Sequence, residues 1–452
     1  MSDTSIQAEA PAPESTPRTT PKKAMLIVFL VVFIDLIGFA IVLPLLPIYG
    51  ERYVEPLVGK GEHSTAGGAI IGLLMSCFSA MQFLFAPVWG RISDRVGRRS
   101  ILLIGLAGSV VCYALFGYAS DLPADVEYAR FALTLLFIAR IGAGIAGATI
   151  ATAQAVIADS TTVDRRKHGM ALIGFAFGIG FTFGPLIGAG AIALRPDWLG
   201  LAGYIASGLS LLALLIAIAI MPETRRFGEE SVTRRKWFDS QAIRTALGNP
   251  AVAPVLWTFF LATLGFSSFE TTLSPLNNDV MRLPKENNYL VFAHVGFVLM
   301  VTQGVFYRRL ANRVSEASFM AMGIGLMAVG LLSLCGVSYL ASTFRSDEAL
   351  PRWVFVNFLV SLTCAVIGFA FMTPSAQALV SRRSDPERQG EILGVNQSAS
   401  SMARILGPMA GMSLYGLTAG HLLPYFFGAV MLFAMLLLIP TIRRGGNEAD
   451  SA

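Results

Sequence analysis

The sequence predicts an all-α membrane protein of twelve transmembrane helices in two related six-helix halves, on three observations. Hydrophobic residues make up 54% and charged residues 14% of the 452-residue chain, against about 25% charged in soluble domains. Apolar runs recur along the whole chain, each long enough to cross ~30 Å of hydrocarbon as a helix. Strand-period alternation is absent, which argues against a lipid-facing barrel.

In order, the predicted spans are 24–49, 67–89, 100–119, 131–157, 169–193, 198–221, 250–274, 289–307, 317–342, 353–379, 391–416 and 422–441. Residues 1–23 are polar and rich in Pro, Ser and Thr, the composition of a disordered tail. No h-region or cleavage site precedes the first span, so a cleaved signal is not expected. Residues 24–221 form the first half, 222–249 a central loop, 250–441 the second half and 442–452 a short polar tail. Cys77, Cys112, Cys335 and Cys364 all fall within spans, where they read as small packing residues and not as a disulfide or metal framework.

Basic residues set the expected orientation. With the N-terminus cytoplasmic, the tails and inner loops hold 24 of the 34 Lys and Arg, the outer loops hold eight, and Arg140 and Arg404 lie inside spans. That bias satisfies the positive-inside rule and puts both termini in the cytoplasm. The net charge of +5 is therefore topological, and no soluble basic face for nucleic acid exists.

The halves repeat in sequence. Ala153-Gln154-Ala155, Asp164, Arg166, Gly169, Gly184-Pro185 and Gly188 recur as Ala376-Gln377-Ala378, Asp385, Arg388, Gly390, Gly407-Pro408 and Gly411, at offsets within 220 to 223. One register held across two helices and a loop points to internal duplication. Parallel six-helix repeats are the pattern of a transporter fold whose binding site lies between the halves.

The stretch after the second span reads Gly90-Arg91-Ile92-Ser93-Asp94-Arg95-Val96-Gly97-Arg98-Arg99. It resembles the cytoplasmic signature of the major facilitator superfamily, G-x-L-a-D-r-x-G-r-k. The resemblance implies two bundles related by a pseudo-two-fold axis along the membrane normal, with Gly90, Asp94, Arg95, Gly97, Arg98 and Arg99 forming a latch between them. Gly90 is expected to allow close helix approach. The equivalent stretch of the second half, Arg309 to Val314, carries Asn312 in place of the acid. In the fifth span, Gly180, Gly184, Pro185 and Gly188 resemble the antiporter motif G-x-x-x-G-P-x-x-G-G; glycines four apart share one face and admit a neighbouring helix closely. In the fourth span, Arg140 to Gly144 is similar to the drug–proton antiporter motif R-x-x-q-G, with Ala143 for Gln. The G-x-G-x-x-G inside this span follows no strand, so dinucleotide binding is not expected.

Over nearly its full length the chain resembles the twelve-helix drug–proton antiporters, and within them the tetracycline-exporter branch: Asp35-Leu36-Ile37-Gly38 with Pro44 and Pro47 is similar to that branch's first helix. It departs where Cys112 aligns with an acid of the third helix, where the ninth span has no acid, and where Leu299 aligns with a histidine of the eighth, His294 lying about a turn away. The resemblance thus implies drug-type antiport but does not carry tetracycline itself across.

Ionisable residues inside a membrane are functional candidates because a charge at mid-bilayer costs about 2.5–3.5 kcal/mol. Asp35, Arg140, Glu270, His294 and Arg404 qualify. Asp35, near the middle of its span, is expected to take a proton-coupling or substrate role, or else to be an ion-pair partner of Arg140. Glu270 is a second proton or cation site. Arg140 and Arg404 hold carboxylates of the protein or of an anionic substrate. Gln82, Gln154, Gln303, Gln377, Asn396 and Gln397 line the path or bond helix to helix. No cofactor is expected: the chain has no phosphate-binding G-x-x-x-x-G-K-[ST] loop. No nucleophile–base constellation points to an enzyme. The expectation is a monomeric, proton-coupled exporter of small, largely hydrophobic molecules in the cell membrane. A metabolite symporter and a non-transporting receptor are the alternatives.

Overall fold

The computed structural model describes residues 21–58, 65–149, 152–153, 156, 163–224, 240–310, 313–345, 349–383, 389–418 and 420–447. Among them the chain is helical throughout, with no strand. The first half contains α1 (Pro21–Val42), α2 (Leu45–Val58), α3 (Thr65–Val96), α4 (Arg98–Asp121), α5 (Val126–Gly147), α6 (Val163–Leu194) and α7 (Leu201–Ile220). After the short α8 (Ser240–Gly248), the second half contains α9 (Ala253–Pro275), α10 (Lys285–Val301), α11 (Glu316–Thr343), α12 (Arg352–Arg383), α13 (Gln389–Tyr415), α14 (Leu423–Leu436) and α15 (Ile439–Asn447). Each predicted span overlaps one or two of these helices. Among the described residues, eight helical stretches, from Val28–Val58 to Arg352–Arg383, are long and apolar enough to cross a membrane.

The first predicted span is broken. Pro47 has no N–H to bond the carbonyl of Leu43, and its ring crowds that carbonyl, so α1 stops at Val42 and α2 restarts at Leu45. α2 then runs well past the predicted end, to Val58. It is tied to its own half: the Tyr53 hydroxyl lies 2.8 Å from the carbonyls of Ala119 and Leu122, and Tyr49 donates to Leu199 at 2.8 Å. In the second half, π-helical stretches extend α9 through Leu276–Val280 and α10 through Thr302–Tyr307.

The main helix contacts repeat between the halves. In the first, α1 packs on α6 and α7, α4 on α5 and α7, and α3 on α5. In the second, α9 packs on α13 and α14, α11 on α12 and α14, and α10 on α12. Contacts between the halves also pair: α3 meets α13, α6 meets α10, and α2 meets α9. These are the contacts a pseudo-two-fold axis predicts.

The contacts between the halves have a position along the axis as well. Gly68 and Gly72, near the start of α3, face the backbone of Met412 and of Pro408 and Met409; Ser76 donates to the carbonyl of Ile405 at 2.6 Å. Gly188, late in α6, faces Tyr289, near the start of α10. These sites lie at the end of the molecule remote from Gly97.

Candidate functional site

At the near end, the signature stretch is helical except at one residue. α3 continues through Val96, and Gly97 has φ 110°, a conformation L side chains rarely adopt. The glycine turns the chain so that the backbone N–H groups of Arg98 and Arg99 both point at the carboxylate of Glu223, at 2.9 and 3.2 Å. Glu223 follows α7, so it caps the orphan donors of α4 in trans. Arg98 Nη1 donates to Ser93 at 2.7 Å, and Arg99 Nη2 to the carbonyl of Ile218 at 2.6 Å. Gly90 is a correction: a Cβ there would meet nothing within 4 Å, because the close approaches between halves are made at the opposite end. The side chain of Asp94, together with Asn312 and Asp385, lies outside the described residues, as do Gln154 and Arg388.

The glycine row of α6 has two partners. A Cβ on Gly180 or Gly184 would press on Leu36 and Ile37 or on Ala40 of α1, within the same half. One on Gly188 would strike Tyr289 across the halves. Pro185 lies inside the helix.

Asp35 is partly buried against its own bundle. Ser210 of α7 donates to its carboxylate at 3.2 Å, and Ser109 of α4 lies beside it. A small cavity beside it is lined by Val31, Val32, Leu36, Leu102, Leu106 and Thr149. Arg140 does not pair with it: among the described residues the two make no ion pair. α5 instead directs Arg140 toward α3 and α1, with its guanidinium 4.6 Å from the ring centroid of Phe78 and 5.8 Å from that of Phe39. Arg140 is 2% exposed, and its Nε and Nη1 have no hydrogen-bond partner among the described residues. The expected Asp35–Arg140 pair is therefore a correction. The serines take the carboxylate from the α4–α7 side, and the stacked rings of Phe39 and Phe78, 4.8 Å apart, take the cation.

The second half is arranged otherwise. Glu270 lies on α9 one turn before Ser274, on the stripe that meets the first half. Arg404 lies on α13 between the face that packs on α9 (Gly407, Gly411) and the face that meets α3 (Ile405, Pro408), and it is exposed. The two charges are within electrostatic range of each other without closing to an ion pair. Gln377 is exposed on α12. Gln82 bonds the carbonyl of Gly147 at 3.2 Å, helix to helix. His294 bonds Thr363 at 2.8 Å inside the second half.

Ser109, Ser210, Phe39 and Phe78 were not singled out by the sequence. Serine in an apolar span and phenylalanine in a membrane protein are both too common to signal a role.

Two duplicated helical bundles meeting across a seam at one end, with charges held inside, have the architecture of a multi-pass membrane transporter. The chain belongs to the Major Facilitator Superfamily, whose profile matches residues 28–346 and 305–451; this is a family of transporters, not enzymes. Among curated relatives, the class C tetracycline resistance protein of Escherichia coli is 28% identical over 93% of this chain and 97% of its own length. Major facilitator superfamily domain-containing protein 10 of Mus musculus is 27% identical over 95% of each chain. Among solved structures, the human organic anion transporter MFSD10 (TETRAN) is similar with TM-score 0.63 and 23% identity, covering 94% of this chain and 100% of its own. A D-xylose–proton symporter aligns with TM-score 0.74 and 16% identity, covering 93% and 97%.

Proposed function

We propose that the chain is a proton-coupled secondary active exporter of small, largely hydrophobic molecules, working by alternating access. The observation that carries this reading is the packing: two internally equivalent bundles touch across a narrow seam at one end, the arrangement of bodies that rock about a central site. With the basic loops in the cytoplasm of a cell-membrane monomer, the seam is on the outer side and the molecule faces inward. Asp35 is the proton carrier. Its serine neighbours stabilise the ionised form, and the apolar helices around it favour the neutral one, so a shift of α1 against α4 and α7 changes which form prevails. Glu270, beside Arg404 at the inner face, is the second titratable group. Likeness to tetracycline resistance proteins supports export of a drug-type molecule.

The test is proton release from energised inside-out vesicles, followed by a pH-sensitive dye. Compounds added are hydrophobic cations, neutral drugs and organic anions. The expected outcome is gradient collapse by some compounds with wild type and none with Asp35→Asn. Equal responses from both proteins would rule out Asp35 as the carrier. No response from wild type to any compound would sink proton exchange.

A second reading rests on Arg140. A buried guanidinium with two unmet N–H groups suits an anionic substrate group, and a relative is described as an organic anion transporter. Under this reading only the anions of the panel collapse the gradient, and Arg140→Gln abolishes their effect.

A further inference from the structure

We infer that the seam between the halves is a gate with two cross-half bonds of opposite sense: a buried donor chain of the second half ends on one backbone carbonyl of the first, Ser76 of the first half donates to the carbonyl of Ile405, and glycines of the first half seat the partner. The inference rests on the alternating-access reading above.

Three fully buried polar side chains of the second half form a chain of donors that ends on the first half. Asn277 donates to Asn288, Asn288 donates to Ser274 at 2.6 Å, and the Ser274 hydroxyl donates to the carbonyl of Pro44 at 2.9 Å. All three residues are 0% exposed. Pro44 lies in the turn between α1 and α2, so the helix break places that carbonyl at the surface of its half. One hydroxyl thus closes this side of the gate, and the two asparagines fix its direction. Opening the gate removes this acceptor and that of the Ser76 hydroxyl at Ile405. A buried hydrogen bond contributes a net ~1 kcal/mol, small enough to break in every cycle.

Tyr289 opposes that bond. Its ring fills the notch left by Gly188, and it is 0% exposed, but its hydroxyl has no hydrogen-bond partner among the described residues. Opening would admit water to it. The closed gate therefore gains bonds at Pro44 and Ile405 and leaves the Tyr289 hydroxyl and the Asn277 Oδ1 unmet among the described residues, a partial offset that opening relieves.

The seat is specific to the closed state. At Gly68 the nearest atoms to an added Cβ are those of Met412 and Ser413, the first at 2.6 Å; at Gly72 they are those of Pro408 and Met409, the first at 2.8 Å; at Gly188 they all belong to Tyr289. None belongs to the glycine's own half. A methyl group there leaves the bundle's packing alone and wedges the gate.

The experiment is pulsed electron–electron resonance on the full chain in lipid nanodiscs, with the four cysteines replaced. One spin-label pair sits at Val58 and Leu417, at the seam end; the other sits at Val96 and Arg313, at the opposite end. Val58, Val96 and Leu417 are 40%, 57% and 54% exposed. In Gly188→Ala the seam pair is expected to lose its short distances while the opposite pair shortens. Gly188→Ala combined with Tyr289→Ala should restore the wild-type distribution, which also shows that the single variant is folded. Ser274→Ala and Asn288→Ala should raise the open-to-closed ratio roughly five- to tenfold, the effect of losing one buried hydrogen bond. If these variants match wild type while pH or transported compound still moves the two pairs in opposite senses, the gate inference is wrong and alternating access stands. If neither pair moves in wild type under any pH or compound, alternating access fails and the inference falls with it.

Discussion

In the first half, the carboxylate of Asp35 lies against Ser109 and Ser210 inside its own bundle, and Arg140 lies beneath the rings of Phe78 and Phe39. In the second half, Glu270 and Arg404 stand on the inner faces of α9 and α13, within range of each other. The main helix contacts of the two halves correspond, so the arrangement of helices does not by itself account for this difference. It comes from side chains: duplication preserved glycines and prolines at the crossings while the charges were placed independently. A shared fold thus fixes where helices touch and leaves open which half handles a proton and which meets a substrate.

The sharpest way to break the comparison is to neutralise each acid in turn. Asp35→Asn is expected to reduce proton-coupled transport to background in the vesicle assay, whereas Glu270→Gln should leave it measurable with changed apparent affinity. The reverse ranking would assign coupling to the second half.

Next in size is the pair of arginines. Arg140→Met removes a buried cation whose unmet N–H groups cost about 1–3 kcal/mol and leaves an apolar side chain against Phe78. Transport should be lost while the melting temperature in detergent stays level or rises. A fall would mean that the guanidinium has a stabilising partner. Arg404→Met, at an exposed position, should alter substrate preference with little change in melting.

Smaller effects separate the near ends of the halves. Gly97→Ala forces a side chain into a φ of 110° and should destabilise by about 1–3 kcal/mol. Glu223→Gln, which weakens the carboxylate cap on α4, should cost about 1 kcal/mol. The second half relies on an exposed bridge, Arg382 to Glu316 at 2.8 Å, worth less than ~1 kcal/mol. Glu316→Gln should therefore be the mildest of the set in thermal melts.

The bridge also predicts a pH dependence. Partial burial alone would raise the Glu316 carboxyl, but its helix N–H, Arg382 and Arg383 together pull it below its ordinary value of 4.5. A carboxyl lowered on folding contributes stability above its unfolded pKa and loses it as pH falls through the folded one. Melting temperature should drop on acidification below about 4.5, less in Glu316→Gln than in wild type. Equal slopes would show that the bridge contributes nothing.

Much of this was legible in the sequence. The repeat offsets announced two equivalent bundles, and hydropathy located the helices that form them. Residue type carried less information where geometry chooses the partner. Gly180, Gly184 and Gly188 share one helix face, and sequence reads that face correctly, yet the first two press on α1 and the third on Tyr289. Opposite charges in neighbouring spans suggested an Asp35–Arg140 pair, but which side chains meet depends on how α1 is rotated between three helices. Gly90 read as a close-approach glycine because it has no side chain and opens the signature motif; in this arrangement the halves meet at the other end. The first span reads as continuous over 24–49 although Pro44 and Pro47 lie in it, so the break is missed, and the use of the Pro44 carbonyl as an acceptor had no signal at all.

The glycine seat also sets the direction of mutational drift. Every substitution at Gly68, Gly72 or Gly188 adds volume, and most substitutions at Ser274, Asn288 or Tyr289 remove a contact. Both kinds of change weaken the closed seam, and few single steps strengthen it. Random variation therefore pushes this transporter's resting population one way, and lineages under selection for slower leakage must correct it with changes elsewhere in the chain.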